Sequence, residues 1–180
     1  MGDNQSETSH KTLRDKLFGG NLKSGKGWSL FGMRLAIGFM FLWGGYEKIE
    51  AELGGKLATS GFLSHAVSGP FAVFFNGLAG NPVVDALVVY GELLIGISIM
   101  LGIFTRVGAI SGILINFMFY ISQLPVQNNP IVNEYVVYMF VFLGMFFLVP
   151  GRFLGLDGIL QNSGFVERRP ILRKIMTVVG

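Results

Sequence analysis

The sequence predicts an all-α membrane protein: a bundle of four transmembrane helices, both termini cytoplasmic, with short interfacial or re-entrant helices between the first and second spans. Three observations carry this expectation. Of 180 residues, 51% are hydrophobic and 14% charged, with a mean hydropathy of +0.56, against about 25% charged in an average soluble domain. Four apolar segments, at about 28–49, 82–104, 107–123 and 131–149, each come close to the roughly 20 residues a helix needs to cross about 30 Å of hydrocarbon. Finally, eleven of the 14 Lys and Arg (Lys11, Arg14, Lys16, Lys23, Lys26, Arg106, Arg152, Arg168, Arg169, Arg173 and Lys174) fall on one predicted side, while the other side carries Lys48 and Lys56. Basic residues gather on the cytoplasmic side of membrane helices, so the net charge of +3 reads as topology rather than as a nucleic-acid surface.

Residues 1–26 form a polar cytoplasmic tail without the apolar core of a signal peptide. The bundle occupies 27–160, and a basic cytoplasmic tail runs over 161–180. Between the first two spans, Phe62, Leu63, Ala66 and Val67, then Phe71, Phe74, Phe75 and Leu78, recur at helical spacing, and Gly69-Pro70 separates the two pieces. Gly80-Asn81-Pro82 starts the second span with turn residues and a proline suited to a helix start. Thr105-Arg106 is the expected turn of a tight hairpin between the second and third spans, and Pro125 and Pro130 bracket the next connection. All of this predicts a single unit in the plasma membrane, in contact with the lipid bilayer.

Polar groups inside the spans are the candidate functional residues, because an ionisable side chain at mid-membrane costs about 2.5–3.5 kcal/mol on insertion scales. Glu92 lies ten residues into the second span, beside Gly91 and Gly96, and Asp85 is two turns earlier on the same face. Helical rise places Glu92, Tyr120 and Tyr138 at a similar depth, about 21 Å above the cytoplasmic end. Asn116, Tyr120 and Gln123 form one polar stripe, and Tyr46, Glu47 and Lys48 close the outer end of the first span. Glu47, directly beside Lys48, is expected to neutralise it in part. Arg34 stands apart near the cytoplasmic end. Each of these groups also has a structural reading, as a hydrogen-bond link between helices or a snorkelling side chain.

The chain has no Cys, and its two His, His10 and His65, lie outside the apolar spans. It therefore supplies no thiolate, iron–sulfur ligand or bis-histidine haem site, and no metal site is expected.

The strings RLAIGFMFLWGGYEKI (Arg34 to Ile49), GFLSHAVSGPFAVFF (Gly61 to Phe75), GELLIGISIMLGIFTR (Gly91 to Arg106) and PGRFLGLDGIL (Pro150 to Leu160) resemble the DoxX/DoxD family of small four-helix membrane proteins, with the nearest likeness to its DoxD branch. The resemblance covers Arg34 to Leu160, and the family's motif residues fall here on Arg34, Gly45, Lys48, Glu92 and Arg106. It implies a membrane subunit of a thiosulfate:quinone oxidoreductase, which oxidises thiosulfate to tetrathionate and passes electrons to quinone. On that reading Glu92 and Tyr120 take catalytic roles toward a quinol oxygen, Arg34, Tyr46, Asn116 and Tyr138 bind the quinone, and Lys48 and His65 bind the anionic substrate. A second membrane or extracytoplasmic subunit is expected as partner. The alternative is a non-catalytic accessory subunit of a larger respiratory or oxygenase complex.

Overall fold

A computed structural model describes residues 25–125, 131–148 and 154–161. Within these the chain is helical: α1 (Gly25–Leu53), α2 (Ser60–His65), a 3-10 turn (Gly69–Phe71), α3 (Ala72–Asn76), α4 (Pro82–Leu101), α5 (Thr105–Ser122), α6 (Glu134–Leu148) and α7 (Leu156–Gln161). Helices α4 and α5 are long and apolar enough to cross a membrane. The tails predicted at either end, apart from residues 25–26 and Gln161, lie outside the described residues, as do Pro130, Pro150 and Arg152.

The long helices pack in the spatial order α1, α4, α5, α6, and α1 touches α6 only lightly. Glycine sets the closest approach. A Cβ on Gly38 would lie 2.8 Å from Met100 N and one on Gly45 2.7 Å from Leu93 N, while a Cβ on Gly96 would press on Leu42 N. The two backbones thus run antiparallel in the register 38–100, 42–96 and 45–93, the small-residue packing that lets helices associate without a hydrophobic drive between them. Gly91, read from sequence as part of the same face, meets nothing within 4 Å of its Cβ position. The core between the helices is Ile37, Phe41, Ile95, Ile99, Ala109, Phe142 and Met145. Large apolar side chains such as Phe39, Leu87, Leu94, Phe140 and Phe147 point outward and are exposed.

The α4–α5 turn differs from the sequence reading. Helix α4 stops at Leu101 because Gly102 adopts a left-handed conformation (φ 65°), with Gly102 N–H bonded to Ile99 O and Ile103 N–H to Ser98 O. The turn is therefore 102–104, and Thr105 and Arg106 already belong to α5. The α5 start is stabilised from a distance: the Asp157 carboxylate accepts from Phe104 N–H (2.9 Å), Thr105 N–H (3.0 Å) and the Thr105 hydroxyl (2.6 Å). A carboxylate on the unpaired N–H groups of a first turn also meets the positive end of the helix dipole.

At the opposite end Asp85 makes the same arrangement. It accepts from Ala58 N–H (3.3 Å), Thr59 N–H (2.6 Å) and the Thr59 hydroxyl (2.6 Å), tying the start of α2 to α4. The predicted pieces between the first two spans form as α2 and α3. Gly69 breaks them at φ 76°, where its missing Cβ leaves room for the Leu124 carbonyl. Ser68 N–H donates to Ser122 O at 3.0 Å, so this segment is pinned to the end of α5.

Candidate functional site

The glycine register brings the C-terminal half of α1 against α4 so that Lys48 faces Glu92. Lys48 Nζ lies 2.5 Å from Glu92 Oε2, and the two side chains are 28% and 7% exposed. Gly44, one turn before Lys48, leaves the space the carboxylate occupies: a Cβ there would sit 3.2 Å from Glu92 Oε2. Glu47 turns the other way and accepts from Trp43 Nε1 at 2.9 Å. The expected neutralisation of Lys48 by its sequence neighbour is therefore replaced by pairing across helices, which compensates the buried acid.

This pair stands in the wall of a cavity of about 520 Å³ whose other walls are mainly apolar and aromatic. Asn116 from α5 and Tyr135 and Tyr138 from α6 add polar edges, and Phe62, Leu63 and Phe75 from α2 and α3 cover the Lys48 end. The rings of Phe62 and Phe119 lie 5.5 Å apart and those of Phe119 and Tyr135 also 5.5 Å, forming one aromatic wall. A mostly apolar cleft of this size with a few converging polar groups is the usual form of a small-molecule site.

The residues singled out from sequence separate into two groups. Lys48, Glu92, Asn116 and Tyr138 line the one cavity. Tyr120, expected beside Glu92, instead donates its hydroxyl to Ile131 O at 3.0 Å. Tyr46 is 51% exposed and packs against Trp43 on the outside of α1. His65 is exposed, its Nδ1 3.2 Å from Gly61 O within its own helix. Arg34 is buried at the far end of the molecule, where Nη2 donates to Leu154 O at 2.7 Å and the guanidinium lies 5.1 Å from the Phe31 ring centroid. Gly102 makes room for it, since a Cβ there would lie 2.7 Å from Nη1.

The predicted polar stripe on α5 is likewise divided. Asn116 Nδ2 donates to Gly112 O at 2.6 Å, while Gln123 Nε2 donates to the Tyr135 hydroxyl at 3.4 Å. Thr59, Ser122 and Tyr135 are polar cavity residues that the sequence did not single out. The signal for Tyr135 was its spacing from Tyr138, since residues three apart share a helix face.

Glu52, past the C-terminal end of the first apolar segment, hydrogen-bonds the Asp85 carboxylate. That bond, with some desolvation and the Asp85 charge, holds the Glu52 carboxyl above the usual carboxylate range. Among the described residues no group of three or more His, Asp or Glu is placed to hold a metal ion.

The sequence model of the DoxX family matches residues 29–125, a stretch that includes both halves of the Lys48–Glu92 pair. No curated protein and no solved structure matches the chain.

Proposed function

The chain belongs to the DoxX family of membrane proteins, and from that premise we propose that it is the quinone-interacting membrane subunit of an oxidoreductase, with the Lys48–Glu92 cavity as the quinone site. The observation that carries the reading is an ion pair, nearly buried on its acidic side, set in an apolar cavity with an aromatic wall. The residues fit a quinone. The cavity of about 520 Å³ is of a size to take a ring headgroup, and Phe62, Phe119 and Tyr135 offer faces and edges for a flat ring.

A quinone accepts or yields two electrons and two protons when bound. In this site the Lys48 ammonium, which gives one N–H to Glu92 Oε2, would have others to offer a ring oxygen, and Glu92 would take or return one of the two protons. Tyr135 and Tyr138, on the α6 wall of the cavity, would be the groups to orient the second oxygen. Lys48 is committed to Glu92 and His65 lies outside the cavity, so these two do not make a dianion site together. We therefore assign sulfur-compound oxidation, with thiosulfate as the substrate implied by the DoxD likeness, to an extracytoplasmic partner subunit.

The same proposal includes topology: four spans, α1, α4, α5 and α6, in the plasma membrane with both termini cytoplasmic. Helix α1, 29 residues long, reaches about 43 Å at 1.5 Å per residue, enough to cross and to carry Lys48 within the outer half. The Arg34–Asp157 end is then cytoplasmic and the Asp85–Thr59 end extracytoplasmic, a reading supported by the distribution of basic residues.

The test is gentle extraction of the chain with its partners from native membranes, analysis of co-purifying lipids, and assay of thiosulfate-dependent quinone reduction. Retained quinone, with turnover lowered by Glu92→Gln in an intact assembly, supports the reading. An assembly that retains no quinone and is indifferent to Glu92→Gln rules it out and leaves an accessory subunit.

A further inference from the structure

We propose that the cavity fills sideways from the lipid, through the seam between α1 and α6, and that its ligand is an amphiphile whose compact hydrogen-bonding head enters while a polyprenyl tail stays in the seam. This rests on the quinone reading above and adds its route.

The helix order leaves one side of the bundle less closed than the others. Helix α1 packs along α4, α4 along α5 and α5 along α6, whereas α1 and α6 meet lightly, at the edge-to-face contact of Phe41 and Phe142, ring centroids 5.1 Å apart. Around that contact and on toward the Lys48 end, the walls of the seam are also walls of the cavity: Met40, Phe41 and Lys48 from α1, Tyr135 and Tyr138 from α6.

The α1 side of the seam is easily parted. Gly38, Leu42 and Gly45 face α4, and at 3.6 residues per turn Met40 lies about 160° round the helix from Gly38. Met40 is both a cavity residue and 37% exposed on the outer surface, so an unbranched, flexible side chain stands at the rim. One turn on, Gly44 adds no side chain at all.

Among the described residues, the Lys48 end of the cavity is covered by the segment between α1 and α4. Leu63 and Phe75 are buried there, and the segment that carries them is fastened by Thr59 to Asp85 and by Ser68 to Ser122. A polyprenyl tail is also too long for a cavity of about 520 Å³, so a tailed ligand must leave its tail outside, and the seam lets the tail remain in hydrocarbon.

The chain has no cysteine, so a single introduced thiol takes a label cleanly. Met40→Cys is coupled to pyrene maleimide in the full chain, held in lipid nanodiscs, with Leu94→Cys on the exposed face of α4 as the control. Two photoprobes are compared: an azidobenzoquinone with a polyprenyl tail, and the same ring with a methyl group in place of the tail. Incorporation is mapped to the cavity peptides. The label on Met40→Cys is expected to lower incorporation of the tailed probe by at least about tenfold, equivalent to about 1.4 kcal/mol, and to spare the tailless probe. Loss of both probes, loss of neither, or an equal loss with the Leu94→Cys label overturns the seam as the route while leaving the quinone site standing. If the unlabelled protein takes up neither probe, the quinone reading fails and the route fails with it.

Discussion

Asp157 caps a helix to which it does not belong: its carboxylate accepts from Thr105 N–H at 3.0 Å and from the Thr105 hydroxyl at 2.6 Å, across 52 residues of sequence. Both residues are fully buried, and the same helix end seats Arg34 through Leu154 O and Gly102. Asp157→Ala leaves the Phe104 and Thr105 N–H groups without their partner. At about 1–3 kcal/mol for each stranded buried group, it is expected to lower stability by about 3 kcal/mol or more, and Thr105→Val by about 1–2 kcal/mol. Thermal unfolding in detergent checks both, and the double variant is expected to lose less than the sum because the two share one hydrogen bond.

Asp85 repeats the arrangement at the other end but holds a different object. Its three bonds fasten the loop before α2 to the first turn of α4, so Asp85→Ala is expected to free the cover of the cavity more than to unfold the bundle. Limited proteolysis reads this directly: cleavage within residues 54–59 rises in the variant, with a smaller fall in unfolding temperature than Asp157→Ala produces.

The antiparallel glycine register makes a prediction with an internal control. Gly45→Ala places a Cβ 2.7 Å from Leu93 N, whereas Gly91→Ala meets nothing within 4 Å. The first is expected to destabilise by about 1–3 kcal/mol through overpacking, and the second to be neutral or stabilising by up to about 1 kcal/mol from helix propensity. Equal effects would mean that α1 and α4 do not meet in this register.

The Glu52–Asp85 hydrogen bond gives a pH dependence with a defined sign. Because the Glu52 carboxyl is raised in the folded chain, its contribution is complete below the ordinary carboxylate value and is lost as pH rises through the raised value. Unfolding temperature followed from about pH 4, near that ordinary value, up to neutrality is expected to carry a declining component. Glu52→Gln, which keeps a donor for Asp85, is expected to remove that component.

Much of the fold was legible because local signals agreed. Asn81 and Pro82 start α4, with the Asn81 side chain accepting from Val83 N–H at 2.9 Å, and Gly69 separates α2 from α3 as its neighbour Pro70 suggested. The turn at 102–104 was misplaced because Thr105 looks like a turn residue until Asp157, far along the chain, supplies its cap. Glu92 stood out by the cost of burying an acid, but depth along single helices gave it Tyr120 rather than Lys48. Rise per residue fixes height and not azimuth. The missing information was the α1–α4 register, and Gly38, Gly45 and Gly96 held it: pairing 38 with 100 and 45 with 93 places Lys48 across from Glu92. Arg34 carried the same signal of costly burial, and one of its partners, the Leu154 carbonyl, is a backbone group that no side-chain pattern announces.

Whether Lys48–Glu92 is a quinone site is measured by the affinity of the purified chain for a tailless benzoquinone analogue in the natural sequence and in the double variant Lys48→Met/Glu92→Gln. Replacing both partners of a buried ion pair is often neutral for stability, so the variant separates a binding site from a link between helices. A quinone site at this pair predicts an unfolding temperature close to that of the natural chain, with quinone affinity weakened by at least about tenfold. Unchanged affinity in a variant whose stability falls would contradict it and leave Lys48–Glu92 as a structural tie between α1 and α4.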